Sequence, residues 1–84
     1  MKAFEVFVDG RRLCTVGTGD AGMATANLHC FGASCDPGGA FLAVGGLDSS
    51  TGQSYEWPEV TLAIGSEVVI RLVETDAVDP QPEF

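Results

Sequence analysis

Alternation of apolar and polar residues predicts a β-hairpin at the start of the chain. Phe4, Val6 and Val8 recur with a period of two, which places them on one face of an extended strand. An Asp-Gly pair follows at residues 9–10, a strong hairpin signal. Residues 13–16 then return as a second strand.

The hairpin turn also predicts a register. If residues 9–10 form a two-residue turn, Val6 lies opposite Leu13. Arg11 and Arg12 stand beside this turn, where we expect both side chains to be solvated.

The last third of the chain has the strongest alternation. Its apolar positions are Val60, Leu62 and Ile64, followed by Val68, Ile70 and Leu72. A Gly-Ser pair between the two series predicts a turn at residues 65–66. Val69, Arg71 and Val73 occupy the opposite face, and the two valines predict a central strand covered on both sides over part of its length.

The middle of the chain predicts three further extended segments. Residues 23–31 fit either a helix or a strand, and their period of two favours a strand. Residues 40–47 form a strand whose Gly pair at 45–46 indicates a bulge or a close backbone approach. A polar turn at residues 48–52 precedes a segment at 53–57, which Pro58 ends or places at a sheet edge.

These segments predict an all-β fold. About six short strands with frequent turns are typical of a small antiparallel β-sandwich or barrel. The alternative is an α+β fold with one helix near residues 21–31. Residues 1–75 form a single β domain in this interpretation, and residues 76–84 form an acidic, mobile C-terminal tail.

The charge balance restricts the partners. Twelve acidic residues oppose four basic ones, for a net charge of -8, and residues 13–70 contain no Lys or Arg. Binding to nucleic acid or to an anionic membrane requires clustered cations, so we expect neither. The acidity serves either solubility or contact with a protein partner that has a basic surface.

The cysteine count and the N-terminus favour a cytoplasmic location. Three cysteines are an odd number, whereas a small secreted scaffold usually has an even set. Acidic residues interrupt the N-terminal segment before the apolar region of a signal peptide can form. No apolar run approaches the length of a membrane span.

A metal site is a weak alternative, and no cofactor is predicted. His29, Cys30 and Cys35 are close in sequence, and Cys14 could approach from a neighbouring strand. Zinc requires four such ligands, but adjacent residues of a strand point to opposite faces, so His29 and Cys30 cannot both bind one ion. Buried structural cysteines, or a Cys30–Cys35 disulfide, are the other interpretations.

Enzymatic activity is not expected. The single histidine could pair with Cys35 as base and nucleophile, but nothing in the sequence orients the imidazole. No nucleophile elbow is present, and no spacing among the acidic residues singles out a catalytic pair.

Tyr55, Trp57, Glu56 and Glu59 are the candidate partner-binding residues. Tyr55 and Trp57 share one face of an edge segment, where we expect both to be exposed. Both residue types are common at interface hot spots. Alternatively, Trp57 only caps the core.

The sequence therefore leaves three functional hypotheses. The first is a non-catalytic acidic interaction protein, of the binder, inhibitor or immunity type, that engages a basic macromolecular surface. The second is a structural or homo-oligomeric β module that self-associates through a sheet edge. The third is a small Cys/His metal-binding protein.

Overall fold

The chain begins with a hairpin built on the Asp-Gly pair. The structure, a computed structural model, describes residues 1–19, 22–32 and 39–79. Strands β1 (Lys2–Val8) and β2 (Arg11–Gly17) pair antiparallel. Asp9 (φ 51°) and Gly10 (φ 81°) both have the left-handed conformation that a type I′ turn requires. The predicted hairpin is confirmed.

A β-bulge corrects the predicted register. Val6 lies opposite Cys14, not Leu13, because the pairing shifts by one residue between Val6 and Phe7. Leu13 is the extra residue. Without the bulge, every side chain beyond it would point to the other face, and Cys14 and Val16 would leave the core.

The first sheet has the strand order β2-β1-β7, with β7 at Val68–Glu74. Strand β7 pairs with β1 along its whole length, from Val8↔Val68 to Lys2↔Glu74. The prediction of a central strand is wrong for the part of the chain that the structure describes, where β7 pairs only with β1 and forms the edge of the sheet. Its Ile70 and Leu72 side chains are 51% and 77% exposed.

The second sheet is organised around one long strand. Strand β3 (Gly22–Phe31) pairs with β4 (Gly39–Asp48) over their full length. Strands β5 (Gln53–Glu56) and β6 (Val60–Leu62) share the other side of β4. Since residues 22–31 are a strand, the α+β alternative is wrong.

A break at Pro58 separates β5 from β6. Glu56 pairs with Gly45 and Val60 with Leu42, so the β5–β6 side has one residue more than β4 between these pairs. Pro58 lies in this break, where no ladder hydrogen bond has to be donated. Its predicted effect, the end of a strand at a sheet edge, is confirmed.

The β4–β5 turn is the polar turn predicted at residues 48–52. Gly52 (φ 76°) donates its amide to the Asp48 carbonyl oxygen at 2.8 Å. The Asp48 carboxylate accepts hydrogen bonds from the Ser50 hydroxyl at 2.6 Å and the Ser50 amide at 3.0 Å. These bonds, the hydroxyl first, hold the pKa of Asp48 below its ordinary value.

The core lies between the two sheets. Its buried residues come from both sheets: Val6, Cys14, Val16, Leu42, Val44, Tyr55 and Leu62. The fold is therefore an all-β antiparallel sandwich with seven strands in the described residues, against about six predicted. The described residues contain no helix that could cross a membrane.

The residues after β7 continue along the first sheet. Thr75 and Met1 exchange backbone hydrogen bonds, which extends the β1–β7 ladder by one pair. Asp79 then reaches the free edge of β2. Its amide donates to the Thr15 carbonyl oxygen at 2.9 Å, and its carboxylate accepts from the Thr15 amide at 2.7 Å.

Arg12 is part of the same contact. Its guanidinium donates to the Thr15 hydroxyl and to the Asp79 carboxylate, the latter at 2.9 Å. Arg12 is thus ion-paired and not simply solvated as expected. These contacts hold Asp79, a residue of the predicted tail, against the first sheet. Residues 80–84 of that tail lie outside the described residues.

Asp79→Asn should destabilise the protein in a pH-dependent way. The Thr15 amide and then Arg12 hold the pKa of Asp79 below its ordinary value. A lowered pKa stabilises the folded state above the ordinary Asp pKa, and this contribution is lost as pH falls through the folded-state value. We expect a loss of about 1 kcal/mol in the free energy of unfolding at neutral pH.

Denaturant unfolding followed by Trp57 fluorescence measures this loss. The difference between Asp79→Asn and the wild type should shrink as pH falls below the Asp range. Asp76→Asn is the control, because its ion pair with the Met1 amino group is solvent-exposed and such surface pairs contribute little to stability. An equal loss in both variants, or a loss that persists at low pH, would contradict the role given to the Asp79 carboxylate.

Candidate functional site

Tyr55 and Trp57 pack toward the core. Tyr55 is only 6% exposed, so its expected exposure is wrong. Its neighbour on β4 is Gly46, which has no side chain and so leaves room for the Tyr55 ring. A Cβ at Gly46 would lie only 2.5 Å from the Tyr55 hydroxyl oxygen. The Trp57 ring meets the Tyr55 ring edge-on at 5.4 Å and is half-buried against the core. Trp57 therefore caps the core, which was the alternative interpretation.

Glu56 and Glu59 lie beside a shallow groove on the second sheet. Both are exposed. The groove has a volume of about 190 Å³, and we call it the acidic groove. Its lining residues come from three strands and the β5–β6 break: Met23, Thr25, Asn27, Ala43, Val44, Gly45, Gly46, Leu47, Ser54, Tyr55, Glu56, Trp57 and Glu59.

A glycine keeps the acidic groove open. Gly45 pairs with Thr25 of β3 on one side and with Glu56 of β5 on the other. It therefore lies in the middle of the groove, between the side chains of these two strands. A Cβ at this position would lie 2.5 Å from the Tyr55 carbonyl oxygen and 3.2 Å from the Glu56 Cγ. The close backbone approach predicted for the glycine pair is confirmed, and it forms the floor of the groove.

The lining of the acidic groove suits a cationic side chain. Its only charged lining residues among those described are Glu56 and Glu59, while Met23 and Leu47 are apolar. Lysine and arginine combine an apolar stem with a charged head. Such a side chain can place its stem against the apolar residues and its head beside a carboxylate.

His29 belongs to an aromatic cluster that sequence reasoning missed. It pairs with Phe41 across the β3–β4 ladder, and their rings stack at 4.5 Å. The Phe31 ring stacks on Phe41 at 5.9 Å. The sequence signal was the spacing of His29 and Phe31, which puts both side chains on one strand face.

The candidate metal ligands are not brought together within the described residues. Cys30 pairs with Ala40, one position along from the His29–Phe41 pair, so Cys30 and His29 lie on opposite faces of β3. Residues 1–19, 22–32 and 39–79 contain no group of three His, Cys, Asp or Glu that could hold a metal ion. Cys35 lies outside the described residues, so the metal hypothesis stays a prediction.

The two described cysteines differ in environment. Cys14 is buried in β2, a strand of the first sheet. Burial away from water raises the pKa of the Cys14 thiol to about 11. Cys30 is exposed. Only Cys14 fits the expectation of buried structural cysteines.

Alkylation should distinguish these two thiols. At pH 8, a thiol with a pKa near 11 is thiolate in about one molecule in a thousand, and burial also blocks access of the reagent. We expect iodoacetamide to modify Cys30 and to spare Cys14 until denaturant is added, as read by peptide mass spectrometry. A Cys30→Ser variant controls for the assignment. Rapid native labelling of Cys14 would contradict its burial.

The comparisons with known proteins give no lead on this site. The chain matches no protein-family model, and comparison with curated proteins and with solved structures gives no significant similarity. The chemistry of the acidic groove is therefore the basis for a functional proposal.

Proposed function

We propose that this protein is a non-catalytic acidic interaction protein that binds a basic surface of a protein partner through the acidic groove. The observation that carries the proposal is the position of Glu56 and Glu59, two exposed carboxylates beside a glycine-floored groove. A binder or inhibitor role fits this arrangement better than catalysis. No His or Cys is found among the described residues that line the groove.

The proposed contact is a lysine or arginine side chain of the partner laid across Gly45. Its stem packs against Met23 and Leu47, and its head pairs with Glu56 or Glu59. Met23 is 55% exposed, so a partner can cover it and remove apolar surface from water. Trp57 contributes from the end of β5, where it is half-buried.

The charge of the whole chain supports the same partner class. With a net charge of -8, long-range attraction speeds encounter with a basic surface and repels nucleic acid and anionic membranes. Exposed charges are screened over about 8 Å at physiological salt, so added salt should slow association. A cytoplasmic location is part of the proposal, and the free thiols of Cys14 and Cys30 support it.

A capped lysine-rich peptide tests this proposal. The chain has one tryptophan, so Trp57 fluorescence reports directly on the end of the acidic groove. We expect saturable binding at low salt that weakens as salt rises, and no binding of a glutamate-rich peptide of equal length. Binding that is independent of salt, or equal for both peptides, would contradict an electrostatic role for the acidic groove.

A further inference from the structure

The aromatic cluster of His29, Phe31 and Phe41 lies on the same face of the second sheet as the acidic groove. Leu42 is buried in the core, and Phe41 comes directly before it on β4, so the Phe41 side chain points to the outer face. Gly45, at the centre of the groove, is four positions further along β4 and therefore shares this face. The rings and the groove thus lie one after the other along the outer face of β4.

The rings of the aromatic cluster are open to solvent and nearly parallel. His29 is exposed, Phe31 is 40% exposed and Phe41 is half-buried. The plane of the Phe41 ring makes an angle of 13° with that of His29 and 23° with that of Phe31. Because the planes agree so closely, one flat group of a partner can lie parallel to more than one ring.

The charge of the second sheet selects among the flat groups that could lie there. A nucleobase brings phosphates, and proteins that stack bases on aromatic rings also supply cations for the backbone. Strands β3, β4, β5 and β6 contain no Lys or Arg. The guanidinium group of arginine is flat and positively charged, and it is attracted to the negative face of an aromatic ring.

Glu59 adds a carboxylate between the aromatic cluster and the centre of the acidic groove. It comes directly before Val60, which pairs with Leu42, so it lies level with Ala43 of β4. Glu59 and Ala43 both line the groove. Ala43 is the outward-facing residue between Phe41 and Gly45. A cation stacked on the rings therefore has this carboxylate beside it.

We propose that the aromatic cluster binds an arginine side chain of the partner, with the guanidinium group stacked on the rings and next to Glu59. The contact rests on the proposed function, since this arginine belongs to the same partner that fills the acidic groove with a first cationic side chain. Four positions along a strand span about 13 Å. In an extended partner segment, a lysine and an arginine four positions apart match this distance and point to the same side.

Three capped peptides test the proposal. Each has a central lysine and a test residue X four positions away on both sides, so either chain direction can place one X on the rings. X is arginine, lysine or citrulline, which has the flat shape of arginine without its charge. We expect the arginine peptide to bind about threefold more tightly than the lysine peptide, as for a solvent-exposed cation–π contact, and the citrulline peptide to bind most weakly. Trp57 fluorescence gives the three dissociation constants.

Phe41→Leu removes the ring that contacts both other members of the aromatic cluster. The ratio of the lysine-peptide to the arginine-peptide dissociation constant is compared between variants, so a general change in affinity cancels. We expect Phe41→Leu to lose the preference for arginine. Phe7→Leu is the matched control and should keep it, because the Phe7 ring lies in the first sheet, 5.2 Å from the Arg71 guanidinium. Phe31→Leu, at an exposed site, makes the same test if Phe41→Leu does not fold.

The outcomes separate this contact from the acidic groove. Equal binding of the arginine and lysine peptides by the wild type would overturn the arginine contact alone. A preference for arginine that survives Phe41→Leu and Phe31→Leu would do the same, as would a citrulline peptide that binds as tightly as the arginine peptide. If neither cationic peptide binds, the proposed function falls together with the arginine contact.

Discussion

Leu42→Ala should remove a large part of the stability of the folded domain. Leu42 is 1% exposed and lies at the centre of β4, between β3 and β6. Truncation of a buried leucine costs about 2–5 kcal/mol, through lost transfer free energy and the cavity left behind. A small domain has a total stability of only about 5–15 kcal/mol, so the variant should be marginal or unfolded at 37 °C.

Leu72→Ala is the matched control for this prediction. It makes the same chemical change at a leucine that is 77% exposed. We expect its free energy of unfolding to differ from wild type by no more than about 0.5 kcal/mol at concentrations where the chain is monomeric. Denaturant titrations of both variants give the comparison. Equal losses would contradict the placement of the core between the two sheets.

Glu56→Lys should have the largest effect on binding of the lysine-rich peptide. The substitution removes one of the two groove carboxylates and puts a cation where the cationic head should lie. We expect the dissociation constant to rise at least about tenfold at low salt, because like charges at a contact oppose association. Trp57 fluorescence measures this change directly.

Glu67→Lys controls for net charge. Glu67 is also exposed, but it lies just before β7 in the first sheet and does not line the acidic groove. Both substitutions change the net charge by the same amount. If the two variants weaken binding equally, the peptide responds only to total charge and the acidic groove has no special role.

Local sequence signals predicted the elements that depend on neighbouring residues. The turn at residues 9–10 needs only two residues that tolerate a positive φ. The turn at residues 48–52 forms through hydrogen bonds within those residues. Strand β3 was predicted from its period of two alone.

The errors concern contacts that are distant in sequence. Alternation in residues 68–73 shows which side chains share a face, but it does not show whether a second sheet covers that face. The Asp79–Arg12 ion pair joins residues 67 positions apart, so no local pattern could show that Arg12 is occupied. The sequence could not identify Leu13 as the bulge residue. The bulge is needed because Cys14 and Val16 must face the core, and this depends on how the two sheets pack.

The candidate site was predicted only in part. Glu56 and Glu59 were identified from their place beside an edge segment, and both are exposed beside the acidic groove. Tyr55 was misjudged because the space for its ring comes from Gly46, on another strand. The groove itself depends on Gly45 and on Met23 of β3, which only the sheet pairing brings near Glu56.

The most direct test of the central claim is a titration of ¹⁵N-labelled protein with the lysine-rich peptide, followed by amide chemical shifts. If the acidic groove binds cationic side chains, the largest shifts should fall on Gly45, Glu56 and Glu59, together with the Trp57 indole. Glu67 and Asp76 should move little, although both are exposed acids. Shifts spread evenly over all exposed acidic residues, with none concentrated at the groove, would contradict the account.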